Sequence, residues 1–297
     1  MANPFRIVSL GDSVPWGQGL VEAQKYDSLV TGVLNARFPG GANLKRLAHS
    51  GAIIGAIPVL GNPANGEVPV PRPTIVEQCD NFTDAPDAVD LVLVNGGIND
   101  VGVATILNPF ALVPSLSSKI RTACHDGMLL LLRKLSAKFT KPACKILVTG
   151  YYTILSDQSD PLGILRLLAL HGIAPPAFID ELDIIDPVID RCEQFFNNST
   201  AQLQSAIADA GDPRIIFVPS GFTDDNAVFA GTPFLFGLDA QLNPQDPVAA
   251  QRHIQCDITH NQPLDLPARE QCYRASAGHP NQLGAVQYQE QILAAIP

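Results

Sequence analysis

Short apolar runs alternate with longer stretches of helical periodicity along most of this chain. Five runs have the length and composition of strands: residues 5–10, 43–49, 91–95, 144–149 and 214–219. Apolar residues recur at helical spacing in four stretches: residues 22–38, 109–138, 186–210 and 282–295. Strands that alternate with helices indicate a parallel sheet with right-handed crossovers. The pattern predicts one domain over residues 1–297, a three-layer α/β/α sandwich around a mostly five-stranded parallel sheet.

Two segments exceed what a minimal sandwich of this kind needs. Residues 154–185 follow the fourth predicted strand and contain a leucine-rich stretch, which fits either an apolar wall over the active-site edge or a helix packed on the core. Residues 221–275 are rich in proline, glycine and asparagine and are expected to form long loops. Long loops at strand ends are commonly functional, so both insertions are candidates for shaping a site.

Composition is that of a globular protein and excludes some classes of partner. Hydrophobic residues make up 46% of the 297 residues and charged residues 16%, as in folded domains. The formal charge of −10 argues against a nucleic-acid partner, which needs a basic face. No apolar run reaches the length of roughly 18 residues that a transmembrane helix requires.

The compartment has two interpretations. The first residues pass directly into the first predicted strand, so a chain complete as written is expected in the cytoplasm. Secretion after removal of a leader is also compatible, because there are six cysteines and three Asn-x-Ser/Thr sequons, which begin at Asn81, Asn197 and Asn198. In a secreted protein we expect Cys256 and Cys272 to pair, whereas Cys144 is expected to be a buried thiol.

Four short blocks carry the candidate chemistry. They are Gly11-Asp12-Ser13, Ser50-Gly51, Gly97-Ile98-Asn99-Asp100 and Gly278-His279-Pro280. The first three follow predicted strands, and the last precedes the final helix. Ligands of parallel sheets bind at the carboxyl ends of the strands, which is where Ser13, Gly51 and Asn99 are expected to lie. A serine, oxyanion donors and a histidine are the groups that acyl transfer requires.

The order and spacing of these blocks resemble the SGNH (GDSL-type) hydrolases. The resemblance implies a flavodoxin-like sheet of order 2-1-3-4-5 and hydrolysis of carboxylic esters through an acyl-enzyme. It makes Ser13 the nucleophile and His279 the base. The backbone N–H groups of Ser13 and Gly51 and the side-chain amide of Asn99 then form the oxyanion hole.

The expected partner is a small-molecule ester. Trp16 is the only tryptophan, which argues against a carbohydrate groove and favours lipid-like or small aliphatic esters. No cofactor or metal is expected, because the sequence has no metal-ligand spacing, phosphate loop or dinucleotide fingerprint.

One position departs from the family pattern. The usual Asp-x-x-His is replaced by Ser276-Ala277-Gly278-His279, and a serine cannot supply the negative charge that stabilises imidazolium. Three explanations stay open. The enzyme is a Ser13–His279 dyad in which Ser276 Oγ or a backbone carbonyl orients the ring, or a distant carboxylate such as Asp257 replaces the acid. Alternatively, the protein is a weak or inactive relative that binds a lipid or glycan.

Three neighbours of the blocks have structural interpretations. Asp12 is too close to Ser13 to act as a distant acid and is expected to brace the turn. Asp100 is expected to cap the helix that follows it. His49 is close enough to Gly51 to reach the pocket, but it is expected to be a structural histidine.

Overall fold

Five short parallel strands form the sheet at the centre of the fold. The computed structural model describes residues 2–296. The strands are β1 (Phe5–Leu10), β2 (Ala42–Arg46), β3 (Leu91–Val94), β4 (Lys145–Thr149) and β5 (Ile215–Val218). Their order is β2-β1-β3-β4-β5, and all neighbouring pairs are parallel. The α/β fold class and the strand order implied by the resemblance are both confirmed.

The predicted strands agree with the observed ones to within one residue at each end, except at the carboxyl end of β2. That strand stops at Arg46, three residues earlier than predicted. Leu47 and Ala48 both donate their backbone N–H to the carbonyl of Ser9. Two donors on one acceptor break the regular ladder, so the chain turns away from the sheet at this point.

Helices cover both faces of the sheet. They are α1 (Ser13–Trp16), α2 (Tyr26–Arg37), α3 (Ile75–Asn81), α4 (Ile98–Val101), α5 (Val103–Leu107), α6 (Val113–Ile120), α7 (Met128–Lys138), α8 (Pro161–Leu170), α9 (Ile185–Ala210), α10 (Ala249–Thr259), α11 (Leu266–Tyr273) and α12 (Gln282–Ala294). The predicted helix 22–38 is a 3-10 turn followed by α2. The predicted helix 109–138 consists of α6, a π-helical segment and α7.

The layers follow from the direction of each crossover. Helices α2 and α12 pack together on one face, whereas α3, α7 and α9 pack on the other. Right-handed connections require this division, because the chain moves one way from β1 to β2 and the opposite way thereafter. All four residues of β3 are buried, as expected of a central strand covered on both sides.

The first insertion contains a helix, which was one of its two interpretations, and the second contains two helices where long loops were expected. Residues 154–185 contain α8, and residues 221–275 contain α10 and α11, which a Cys256–Cys272 disulfide joins. The predicted cysteine pair is therefore present, and Cys144 is a buried free thiol. Among residues 2–296, none of the helices combines the length and the apolar character needed to cross a membrane.

The end of β1 meets the end of β3 at close range. Gly11 has a φ of 140°, and a Cβ added there would lie 2.5 Å from the carbonyl oxygen of Asn95. Only glycine permits both this conformation and this approach. The connections that follow β1 and β3 leave the sheet in opposite directions at this point. Sheets of this kind bind ligands at such a point of divergence. Ser13 and Asn99 therefore start from neighbouring positions.

Candidate active site

Ser13 opens the short helix α1 directly after β1. Asp12 is the N-cap, and its Oδ1 accepts a hydrogen bond of 2.9 Å from the backbone N–H of Val14. Asp12 Oδ2 accepts a second bond of 2.8 Å from the hydroxyl of Tyr151. The prediction that Asp12 braces the turn is confirmed.

The bracing extends to the segment that carries Asn99. The hydroxyl of Tyr151 accepts a hydrogen bond of 2.9 Å from the backbone N–H of Ile98. Asp12 is fully buried, and burial raises its pKa to about 6. A buried carboxyl with two donors is fixed in position, so the turn that carries Ser13 and the start of α4 are held together.

His279 reaches Ser13 from the other end of the sequence. The Nε2 atom of His279 lies 2.7 Å from Ser13 Oγ, within hydrogen-bond distance. The backbone around the histidine is pinned by Phe236, which accepts from Gly278 N–H and donates to the carbonyl of His279, each at 2.8 Å. Phe236 belongs to the second insertion, so that segment helps to position the histidine.

The other ring nitrogen of His279 faces backbone rather than a carboxylate. Among the described residues, His279 Nδ1 has no hydrogen-bond partner within normal geometry. Burial lowers the pKa of His279 to about 4, while the neighbouring carbonyl groups of Ala277 and Ser276 act in the opposite direction. The imidazole is therefore neutral at neutral pH and able to accept a proton through Nε2.

Neither candidate orienter makes a side-chain bond to His279. Ser276 is buried, and its Oγ donates to Asp246 Oδ2 at 2.6 Å. Asp257 lies on the exposed side of α10, where it accepts from the hydroxyl of Tyr273. The sequence placed Asp257 in a loop, but it is helical, and the structure gives no support to its role as a substitute acid.

Asn99 is fixed in a way that leaves a donor available. Its Nδ2 donates one hydrogen bond of 3.0 Å to the carbonyl of Ala52. A side-chain amide carries two N–H bonds, so the second can bind a developing oxyanion. The same contact ties Asn99 to the loop that contains Gly51.

Gly51 has a conformation that a larger residue could not adopt easily. Its φ is 77°, and an added Cβ would lie 2.5 Å from the backbone nitrogen of Val70. Within residues 2–296, neither the backbone N–H of Gly51 nor that of Ser13 donates a hydrogen bond to another backbone group. Gly51 is not among the residues that line the cavity at Ser13, whereas Asn99 is.

Asp100 and His49 have structural contacts. Asp100 accepts from the backbone N–H of Ile54 at 3.0 Å and lies inside α4. The prediction that it caps the helix is therefore wrong, because its carboxyl reaches across to another loop. The ring nitrogens of His49 lie 2.7 and 2.8 Å from the carbonyl oxygens of Ser50 and Ala64, so the ring packs against backbone, which confirms the structural interpretation.

A small apolar cavity surrounds the serine and the histidine. Its volume is about 60 Å³, and it is lined by Ser13, Asn99 and His279 together with mainly apolar side chains, among them Leu107, Ile154 and Leu167. Ile154 and Leu167 come from the first insertion. A wider groove of about 500 Å³ adjoins this cavity and shares Asn99 with it.

Three buried charged residues lie near the site and were not predicted from the sequence. They are Glu67, Asp246 and Arg252, which form linked ion pairs. Glu67 and Asp246 lie in segments without strand or helix periodicity, and Arg252 lies more than 20 residues before His279. Nothing in the local sequence pattern marks them.

This chain is similar to solved structures, although comparisons of its sequence find no match. No protein-family model matches this chain, and no curated protein is similar enough to be matched. An extracellular lipase from Streptomyces rimosus matches with a TM-score of 0.57 and 15% identity, over 99% of this chain and 100% of that chain. A phospholipase A1 from Streptomyces albidoflavus NA297 matches with a TM-score of 0.56 and 13% identity, over 99% and 100%. A lipase from a goat rumen metagenome, Lip_vut3, matches with a TM-score of 0.51 and 13% identity, over 98% and 97%.

This chain has the fold of these lipases. The resemblance to SGNH hydrolases is thereby confirmed at the level of the fold. A shared fold does not establish a shared function. The roles of individual residues therefore rest on the geometry of the site itself.

Proposed function

We propose that this protein hydrolyses carboxylic esters through a covalent acyl-enzyme formed on Ser13. The observation that carries the proposal is the 2.7 Å contact between His279 Nε2 and Ser13 Oγ, inside a cavity that Asn99 also lines. A nucleophile within hydrogen-bond distance of a base, next to an oxyanion donor, is the arrangement that acyl transfer needs.

The reaction proceeds in two halves. Ser13 Oγ attacks the ester carbonyl carbon while His279 Nε2 takes the hydroxyl proton. The resulting oxyanion is bound by Asn99 and by the backbone N–H groups of Ser13 and Gly51. As the intermediate collapses, His279 returns the proton to the departing alcohol. Water then attacks the acyl-enzyme with His279 again as the base, which releases the carboxylic acid and regenerates Ser13.

Of the three explanations for the missing acid, the dyad has the best support. The neighbouring backbone groups of Ala277 and Ser276 raise the pKa of His279 against the effect of burial, so they favour the imidazolium when it forms. Loss of the acid in a triad reduces catalysis without eliminating it. The close Ser13–His279 contact favours an active enzyme over a silent binding protein.

The experiment that tests this function is labelling with a fluorophosphonate probe. We expect intact-mass analysis to give one adduct per chain and peptide mapping to locate it at Ser13, because only an activated serine reacts with such probes. An absence of labelling on protein that unfolds cooperatively would favour the binding protein instead.

The size of the cavity favours short acyl chains. A volume of about 60 Å³ has room for roughly four to six water-sized groups at about 10–15 Å³ each. We infer that the cavity takes an acyl chain of about two to four carbons and that the adjoining groove takes the alcohol part of the ester. Asn99 lies at the boundary between the two.

We expect kcat/KM for p-nitrophenyl butyrate to exceed that for the decanoate by at least about tenfold, because extra methylenes do not fit a filled cavity. Leu167→Ala should reduce this ratio by about fivefold or more, since it removes side-chain volume from the cavity wall. The matched control is Leu203→Ala, which empties a core position in α9 outside the cavity. A wild-type preference for decanoate, or equal effects of both variants, would contradict the assignment.

The acid limb of the activity profile should lie at unusually low pH. Neutral His279 is the active base, and its pKa is lowered by burial to about 4. Because kcat/KM reports the ionisation of the free enzyme, it should stay flat down to about pH 5 and fall below that, rather than halve near pH 6.5. Activity is thus gained as the pH rises through the pKa of the folded histidine.

Two controls accompany this measurement. Fluorescence of Trp16 should show that the protein remains folded at each pH. Asp12 has a pKa of about 6 and contacts the nucleophile turn, so Asp12→Asn identifies any limb that Asp12 causes. Burial also raises the pKa of Asp100, next to Asn99, to about 6. A limb near pH 6.5 that persists in both Asp12→Asn and Asp100→Asn would refute the low pKa of His279.

The disulfide favours an oxidising compartment as the place of function. Such bonds persist in extracellular or periplasmic proteins and are rare in the cytosol, and one structural relative is an extracellular lipase. Thiol titration of the unfolded, unreduced protein from its natural host should find the four free cysteines. A count of six thiols would contradict this compartment.

A further inference from the structure

A buried ion pair lies behind the turn that carries His279. Arg252 donates from Nη2 to Asp246 Oδ2 at 2.6 Å and from Nη1 to Asp246 Oδ1 at 3.1 Å. Neither side chain is exposed to solvent. Neither lines the cavity at Ser13, so the pair has no direct part in the chemistry proposed above.

The pair holds both ends of a short segment of backbone. Asp246 Oδ2 accepts from Ser276 Oγ at 2.6 Å, and Arg252 Nε donates to the carbonyl of Tyr273 at 3.1 Å. This segment leads directly into His279, whose backbone N–H donates to the carbonyl of Ser276 at 3.0 Å. The carbonyl groups that face the imidazole therefore belong to a turn that the ion pair anchors.

The same arginine also reaches toward the nucleophile. Arg252 Nη1 lies 3.4 Å from Glu67 Oε2. Glu67 accepts in turn from Trp16 Nε1 at 2.9 Å and from Gln18 Nε2 at 3.1 Å. Trp16 ends the helix α1 that Ser13 begins. A carboxylate, a guanidinium and a second carboxylate thus connect the helix of the nucleophile with the turn of the base.

The free energy of unfolding does not by itself account for a buried network of three charged side chains. Moving ions out of water carries a desolvation cost that their mutual attraction often fails to recover, and well-packed apolar residues are frequently as stable. The contacts are directional, however, and they join two segments whose relative position determines the Ser13–His279 distance. A network of this kind suits the positioning of catalytic groups.

We propose that Asp246, Arg252 and Glu67 are positioning residues that hold His279 Nε2 at Ser13 Oγ, in place of a carboxylate bonded directly to the ring. The inference depends on the proposed Ser13–His279 chemistry. Ser276 connects this network to the turn of His279 through its hydrogen bond to Asp246. A buried serine at this position therefore has a use that does not require it to contact the imidazole.

The test uses Ser276→Ala, Asp246→Asn and the double variant. Ser276→Ala leaves the ion pair intact, so it retains the fold even if Asp246→Asn does not. We measure kcat and KM for p-nitrophenyl butyrate, the rate of fluorophosphonate labelling, and the thermal unfolding of each protein. Each single variant should lower kcat and the labelling rate by about 10–100-fold, with KM changed less than about twofold, because a small displacement of the base slows the chemical step.

The double variant tests whether the two residues act through one path. Its kcat should be no lower than that of Asp246→Asn by more than about twofold, since coupled residues are not additive. The matched control is Asp212→Asn, which removes a carboxylate from the Asp212–Arg214 pair next to the amino end of β5, at the opposite edge of the sheet. It should lower the unfolding temperature and leave kcat unchanged.

A folded Ser276→Ala protein with kcat within about twofold of the wild type would overturn the inference. Losses that multiply in the double variant, or an equal loss of kcat in Asp212→Asn, would overturn it as well. A wild-type protein that neither hydrolyses esters nor reacts with the probe would instead remove the proposed function and this inference together. An active wild type with an unaffected Ser276→Ala variant would remove the inference alone.

Discussion

Ser13→Ala is expected to lower kcat for ester hydrolysis by about 10⁴-fold or more, because it deletes the atom that we propose as the nucleophile. The side-chain hydrogen bond of Ser13 is the contact with His279, so its loss should change the unfolding temperature little. Stopped assays with a fluorogenic butyrate ester, at protein concentrations high enough to detect the residual rate, would measure the effect. Labelling by the fluorophosphonate probe should disappear in the same variant.

Ser9→Ala is the matched control for this substitution. Ser9 is a fully buried serine on β1, four residues before Ser13, and its Oγ has no hydrogen-bond partner among the described residues. Removing that hydroxyl should leave kcat within about twofold of the wild type. If Ser13→Ala retained more than about a few per cent of the activity, a group other than Ser13 would have to be the nucleophile.

The sequence predicted the parts of the site that are encoded locally. Ser13 and Asn99 follow apolar runs of strand length, and a parallel sheet brings the ends of its strands to one edge. His279 stands in a short polar segment before a helix, and its approach to Ser13 was expected from the resemblance. The proximity of Ser13 and Asn99 required in addition the strand order 2-1-3-4-5, which the resemblance implied and the structure has.

The side chains that surround His279 could not be predicted from the sequence, because they come from segments far away along the chain. Asp246 lies 30 residues before Ser276, to which it is bonded, and Arg252 joins it through a helix that the pattern did not predict. Asp257 carries the right functional group, but it faces the solvent side of that same helix. Asp100 was misassigned for a similar reason, since its partner Ile54 lies on another loop. The pattern of apolar residues does not predict where a side chain points when the helix or loop that carries it was not predicted.

Asn99→Ala is expected to lower kcat by about 10²–10³-fold with little change in KM, because its free N–H contributes most when the oxyanion develops. The variant also loses the bond of 3.0 Å to the carbonyl of Ala52, so part of the effect could come from loosening of that loop. Asn226→Ala separates the two causes, since Asn226 Nδ2 likewise donates to one backbone carbonyl, that of Thr232, at 3.1 Å. It should reduce stability without a comparable loss of kcat. A change in Asn99→Ala confined to KM would make Asn99 a substrate-binding residue, and the backbone N–H groups of Ser13 and Gly51 would then have to stabilise the oxyanion without it.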